Sequence, residues 1–211
     1  MTVLVVVAAN PSSHQVPYVL MGADSLEVTL EKDETKSPIK NENANKIYRF
    51  NDKLMVYSAR LDTAFREHFL TFLRENDCEL SKLYKLAYQF VYDYMKNVEQ
   101  HPDAKCAIYI GCNNNSTPEI AEIKMKKSEL SKAVYGHYYV PEDGLIGYVG
   151  GSVDNDAQDK DLYEEWDNRI QKGCSNAALS CVKKVARDYL SKGAARYPET
   201  CNQNFKFESL R

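Results

Sequence analysis

The sequence contains no run approaching the ~20 apolar residues that a membrane-spanning helix needs, so a helical membrane protein is not expected. The apolar opening at 3–9 is too short for a signal peptide and lacks its basic flank, the first lysine being Lys32. It reads as a strand buried on both faces. No basic stripe is present: Lys and Arg number 27 against 30 Asp and Glu, a net charge of −3, which argues against a nucleic-acid partner. No two of Cys78, Cys106, Cys112, Cys174, Cys181 and Cys201 stand at C-x-x-C spacing. His14, His68, His101 and His137 form no ligand-spaced group, so no metal site is expected. With 211 residues and 44% apolar content the chain can bury a core without disulfides, and all six cysteines are expected to be thiols in a reducing cytoplasm. Internal repeats, low-complexity tracts and linkers are also lacking, so 1–211 reads as one domain.

Hydrophobic patterning then gives the element order. Residues 2–9 form an apolar run that ends at the turn signal Asn10-Pro11-Ser12-Ser13. Residues 18–21 resume as a strand, and Leu26, Val28 and Leu30 alternate with polar neighbours, the period of a half-buried strand. A polar segment at 32–45 reads as a loop, followed by short strands at 47–49 and 53–58. The period changes at 62–76, where Phe65, Phe69, Phe72 and Leu73 recur at helical spacing. A second stripe at 79–100 carries Leu83, Leu86, Ala87, Phe90, Val91 and Tyr94. Strands return at 106–111, 119–124, 133–140 and 145–149. Helices are expected at 160–171 and 175–190, and a closing strand at 204–209. Strand blocks separated by helix pairs predict an α+β layering of two antiparallel sheets with helices outside.

Five local patterns bear on chemistry. Thr2 follows the initiator Met1, and after removal of Met1 it would carry a free α-amine and a hydroxyl on one residue. A threonine hydroxyl needs a base to act as a nucleophile, and an α-amine with a reference pKa of about 7.7–8.0 is partly neutral near pH 7. Asp24 lies in Gly22-Ala23-Asp24-Ser25, just after a strand. Lys46 opens the strand Lys46-Ile47-Tyr48. Asp188 and Ser191 stand in Arg187-Asp188-Tyr189-Leu190-Ser191-Lys192-Gly193, where Gly193 would also suit a helix cap. Ser152 ends Gly150-Gly151-Ser152. Each has an ordinary reading: a chance Met-Thr start, a turn-forming Asp, a solvated Lys, a capped helix end, a glycine turn.

In this order the motifs resemble those of the proteasome β-subunit family of N-terminal nucleophile (Ntn) hydrolases, over the whole chain. The resemblance implies a four-layer αββα sandwich, with Thr2 at a sheet edge near Lys46. It implies a threonine-type peptidase, needing no metal or organic cofactor, that acts on peptides or unfolded protein within an oligomeric, ring-like and homo-oligomeric assembly. Thr2 would be the nucleophile and Lys46 the charge that favours its ionised form. Asp24 would support Lys46, while Asp188, Ser191 and Ser152 would orient the amine. Two departures stand out. Gly150-Gly151-Ser152 replaces a glycine-serine-glycine turn, and Ser58-Ala59-Arg60 stands where the family has Ala-Gly facing the oxyanion. They leave two other readings open: a non-catalytic structural subunit of the same type, or a small-amide hydrolase of the superfamily.

Overall fold

The computed structural model describes residues 2–11, 15–29, 39–61, 64–97, 104–132, 136–142, 146–151, 159–174 and 176–211. Strand β1 (Leu4–Ala9) is paired antiparallel on both sides, with β2 (Tyr18–Asp24) and with β10 (Ile146–Gly151). The closing strand β11 (Phe205–Leu210) pairs with the outer side of β2, giving the sheet order β10-β1-β2-β11. All six β1 residues are fully buried, as a continuous apolar run predicts for an inner strand covered on both faces. Thr2 therefore leads into an inner strand rather than an edge strand, because β10 covers the side that the sequence left open.

A small hairpin joins β3 (Glu27–Thr29) and β4 (Ile39–Asn41). A five-stranded sheet follows, ordered β5 (Ile47–Phe50), β6 (Lys53–Arg60), β7 (Lys105–Asn114), β8 (Thr117–Lys126) and β9 (Tyr138–Tyr139). Its second hairpin is tighter than the loop expected at 113–118, while the first turns at Asn51-Asp52. Asn114 pairs with Thr117 across Asn115 and Ser116, both at positive φ (49° and 65°), and Phe50 pairs with Lys53 across Asn51 (φ 48°) and Asp52. Asparagine tolerates that backbone region, which two-residue hairpins use. A 3₁₀ turn covers Lys127–Lys132, so the strand expected at 133–140 reduces to Tyr138–Tyr139 among the described residues.

Helices α1 (Phe65–Glu75) and α2 (Leu80–Asn97) pack on the five-stranded sheet through Phe65, Phe69, Leu73, Leu83 and Val91 against Met55, Ile108, Ile110 and Ile123. Leu86, expected in the buried stripe, is 38% exposed. Leu83, Ala87 and Val91 of that stripe are buried as expected, and Leu80, Tyr84, Tyr88 and Met95 join them on the inner face. Helices α3 (Lys160–Gly173) and α4 (Leu179–Arg196) pack on the other sheet, with Trp166, Ile170, Val182 and Leu190 against Val3, Val5 and Val7. Leu4, Val6, Ala8, Val19 and Met21 point the opposite way and meet Leu54, Val56, Ala107, Tyr109 and Ile120 of the five-stranded sheet. This split of β1 follows the two-residue alternation of strand side chains.

Two expectations are corrected here. Gly193 lies inside α4 and does not cap it, since the helix runs on to Arg196. A Cβ on Gly193 would stand 2.7 Å from Val3 Cγ1, so the glycine serves close helix–strand approach. Cys174 and Cys181 form a disulfide with their Cα atoms 5.8 Å apart, and the expectation of six thiols fails. Helix α3 ends at Gly173 with Cys174 as its cap residue. A turn through Ala177, whose N–H donates to Cys174 O at 2.7 Å, brings the first turn of α4 back over that end. The cysteine argument for a reducing compartment is removed with it. Cys106, Cys112 and Cys201 are buried thiols and Cys78 is half-buried. Among the described residues, no helix is long and apolar enough to cross a membrane.

Candidate active site

The site is built from the ends of three strands. Asp24 is the last residue of β2 and 1% exposed. It holds Val3 at both main-chain positions: its carboxylate Oδ1 accepts from Val3 N at 3.2 Å, and its own N–H donates to Val3 O at 3.2 Å. Its Oδ2 also accepts from Leu26 N at 3.1 Å. The residue before Val3 is thereby fixed. Strand alternation puts the Thr2 side chain on the face of Leu4, toward the second sheet.

Lys46, immediately before β5 in that second sheet, reaches the same point. Its ammonium donates to Thr2 Oγ1 at 3.0 Å and to both carboxylate oxygens of Asp24 at 3.0 Å. Thr2, Asp24 and Lys46 are all buried. Burial pushes the Asp24 carboxyl above its ordinary value, while the Lys46 ammonium and the N–H groups of Leu26 and Val3 pull against that rise. A buried ion pair holds together only when its remaining lone pairs and protons are also satisfied, and beyond Lys46 the Asp24 carboxylate accepts from two main-chain N–H groups, those of Val3 and Leu26.

The arrangement can do one thing chemically that a solvated lysine cannot. It presents a desolvated ammonium, oriented by a carboxylate, to a hydroxyl at hydrogen-bond distance. That lowers the cost of developing negative charge on the hydroxyl oxygen. Among the described residues, no group of three His, Cys, Asp or Glu side chains is arranged to hold a metal ion.

Asp188 and Ser191 lie on α4. Arg187–Gly193 forms part of the body of α4 and not its end. The Asp188 carboxylate accepts from Arg169 Nη2 of α3 at 2.7 Å. The Ser191 hydroxyl donates to Gln203 Oε1 at 2.7 Å, and Gln203 Nε2 donates back to Ser191 O at 3.0 Å. Ser152 lies outside the described residues. Arg60 is exposed at the end of β6.

Sequence reasoning passed over the connector between α4 and β11. Cys201 is buried close enough to the site that the charges of Asp24 and Lys46 act on its thiol, whose pKa is raised chiefly by burial. Asn202 binds Ser25, next to Asp24. In the sequence, Cys201-Asn202-Gln203-Asn204 reads as a polar loop, and no motif marks it.

No protein-family model and no curated protein sequence matches the chain. Solved structures do match over its length. Eukaryotic HslV from Trypanosoma brucei superposes with a TM-score of 0.56 at 14% identity, covering 100% of this chain and 99% of that one. Thiobacillus denitrificans BPH, solved in complex with epoxomicin, gives a TM-score of 0.57 at 11% identity, covering 99% and 98%. The fold is therefore the proteasome β-subunit-like Ntn fold.

Proposed function

We propose that the chain is a threonine-type peptidase of the proteasome β-subunit kind, with Thr2 as nucleophile once Met1 has been removed. The observation that carries this reading is the Lys46 ammonium, 3.0 Å from Thr2 Oγ1 and anchored on Asp24. The likeness to HslV and to an epoxomicin-bound BPH supports it at the level of the fold. The same reading takes the two sheets and two helix pairs as four layers in the order αββα, and the active form as a homo-oligomeric ring enclosing its sites.

The free α-amine of Thr2 accepts the proton of its own hydroxyl, and Oγ1 bonds to the carbonyl carbon of the substrate peptide. Lys46 stabilises the negative charge that develops. The scissile C–N bond breaks, the leaving amine takes the proton held by the α-amine, and an ester on Oγ1 remains. A water gives its proton to the α-amine and attacks the ester, releasing the carboxylic product and restoring the hydroxyl. Asp24 fixes Lys46 and, through Val3, the start of β1. Asp188, Ser191 and Ser152 have the amine-orienting role by resemblance only.

A second reading, a non-catalytic structural subunit, is favoured by one observation. Asp188 and Ser191, which should orient the amine, are engaged with Arg169 and Gln203. Hydrolysis of fluorogenic peptides by protein with a proven Thr2 amine separates the two. The peptidase reading expects turnover that disappears in Thr2→Ala with fold and assembly retained. Undiminished activity in Thr2→Ala defeats the mechanism, and an assembled but inactive wild type favours the structural subunit.

A further inference from the structure

The arm that carries Lys46 is short and exposed, yet its amine must arrive at a buried point. Residues 41, 42, 43 and 45 are exposed, Ala44 and Lys46 are buried, and β5 begins only at Ile47. Something must fix the arm before the strand does. The Asn202 side chain stands between the arm and the Asp24 turn. Its Oδ1 accepts from Ser25 N at 3.1 Å and from Asn204 N at 3.3 Å. Its Nδ2 donates to Glu42 O at 2.9 Å and to Ser25 Oγ at 3.3 Å. Ser25 closes the triangle: its hydroxyl donates to Glu42 O at 2.6 Å and its carbonyl accepts from Ala44 N at 2.9 Å. Asn204 Nδ2 donates to Asn43 Oδ1 at 3.0 Å, and Lys206 Nζ donates to Asn43 O at 3.0 Å and Ala44 O at 3.2 Å.

We infer that Asn202 is a positioning residue for the Thr2–Lys46 pair. One amide reads the residue after Asp24 with its oxygen and the arm before Lys46 with its nitrogen, so it fixes the two members of the ion pair relative to each other. Asparagine suits the task because it offers an acceptor and two donors on one rigid plane. Asp24 in turn grips Val3, so the geometry set at Asn202 extends to Thr2. Asn202 has no contact with Thr2 or Lys46 in this network and acts only through Ser25 and the 42–44 arm. The effect on turnover rests on the peptidase reading, but the effect on Lys46 does not.

The test uses the full-length protein and two readouts. The first is chemical: brief acetylation with acetic anhydride, followed by peptide mass spectrometry of Lys46 and of Lys53. Lys53 is a second buried lysine, at the start of β6, and is held by Asp52 and Asp77. In Asn202→Ala, Lys46 acetylation should rise at least about threefold as the arm opens locally, with Lys53 unchanged. The second readout is kinetic: kcat should fall roughly tenfold or more from misplacement of the reacting groups, with KM within about twofold. Unchanged Lys46 acetylation in folded Asn202→Ala, or an equal rise at Lys53, overturns the inference. So does a change confined to KM. If Asn202→Ala does not fold, Asn202→Asp keeps the acceptor for Ser25 N and loses the donor to Glu42 O, and the same criteria apply to it. An inactive wild type removes the proposed peptidase but leaves the acetylation result to decide the role of Asn202.

Discussion

Lys46 Nζ stands 3.0 Å from Thr2 Oγ1 and 3.0 Å from each carboxylate oxygen of Asp24, so one buried ammonium joins the ends of two sheets. Lys46→Ala should lower kcat/KM for a fluorogenic peptide by ~10²–10³, the usual value of one preorganised charged donor. Lys46→Arg keeps the charge, but its broader fork does not fit a site in which lysine is only 8% exposed, so activity should be recovered poorly. Full activity in Lys46→Ala would remove lysine from the mechanism.

Asp24 is more demanding structurally. Asp24→Ala strands the Lys46 ammonium and leaves the Val3 and Leu26 N–H groups without their acceptor. Breaking a buried pair from one side typically costs about 3–5 kcal/mol. Urea unfolding should show that loss as a lower midpoint with unchanged slope. A loss below about 1 kcal/mol, the scale of an exposed pair, would contradict the burial assigned to the site.

Gly193 and Gly173 form a matched pair. At Gly193 an added Cβ meets Val3 Cγ1 at 2.7 Å, whereas at Gly173 nothing lies within 4 Å. Gly193→Ala should destabilise by roughly 1–3 kcal/mol through overpacking against β1. Gly173→Ala, at the end of α3, should be neutral or stabilising by up to about 1 kcal/mol. Thermal melts of the two variants measure the difference.

This pair also shows where the sequence stops being informative. The change of hydrophobic period at residue 62 and again at residue 106 made the element order readable. Thr2, Asp24 and Lys46 were readable because each sits at the start or end of a strand in a recurring local context. Gly193 was not, since its meaning comes from Val3, 190 positions away, and a glycine near a helix end reads locally as a cap. The ion pair of Asp188 was not readable for the same reason: its partner Arg169 belongs to another helix. Asn202 carries no local signal at all, because its partners Ser25 and Glu42 are brought to it only by the pairing of β11 with β2.

The thiols offer a count. Unfolding in denaturant without reductant should expose four thiols to titration, and six after reduction, given the Cys174–Cys181 bond. In the native state Cys78 should react first. Burial pushes the Cys106 and Cys112 thiols up to about 12, which keeps them protonated and unreactive at pH 8. Six thiols without reductant would refute the disulfide.

Acid stability should depend on Asp161. Its hydrogen bonds from Arg196 hold the carboxyl at about 2, below the ordinary 3.8. A depressed pKa contributes stability that is present above about pH 4 and is lost as the pH falls toward 2. The melting temperature of the wild type should therefore drop over that window more steeply than that of Asp161→Asn. Parallel curves would show that the pair contributes nothing.

Covalent trapping decides whether Thr2 Oγ1 is the nucleophile. Protein whose intact mass shows loss of Met1 is treated with a peptidyl β-lactone, a strained ester that an activated hydroxyl opens to form a stable acyl adduct. The adduct is then mapped by peptide mass spectrometry. One equivalent of ester is expected on Thr2, absent from Thr2→Ala and strongly reduced in Lys46→Ala. An unlabelled Thr2 in assembled protein with a free amine, or labelling that persists in Thr2→Ala, would rule out Thr2 Oγ1 as the nucleophile.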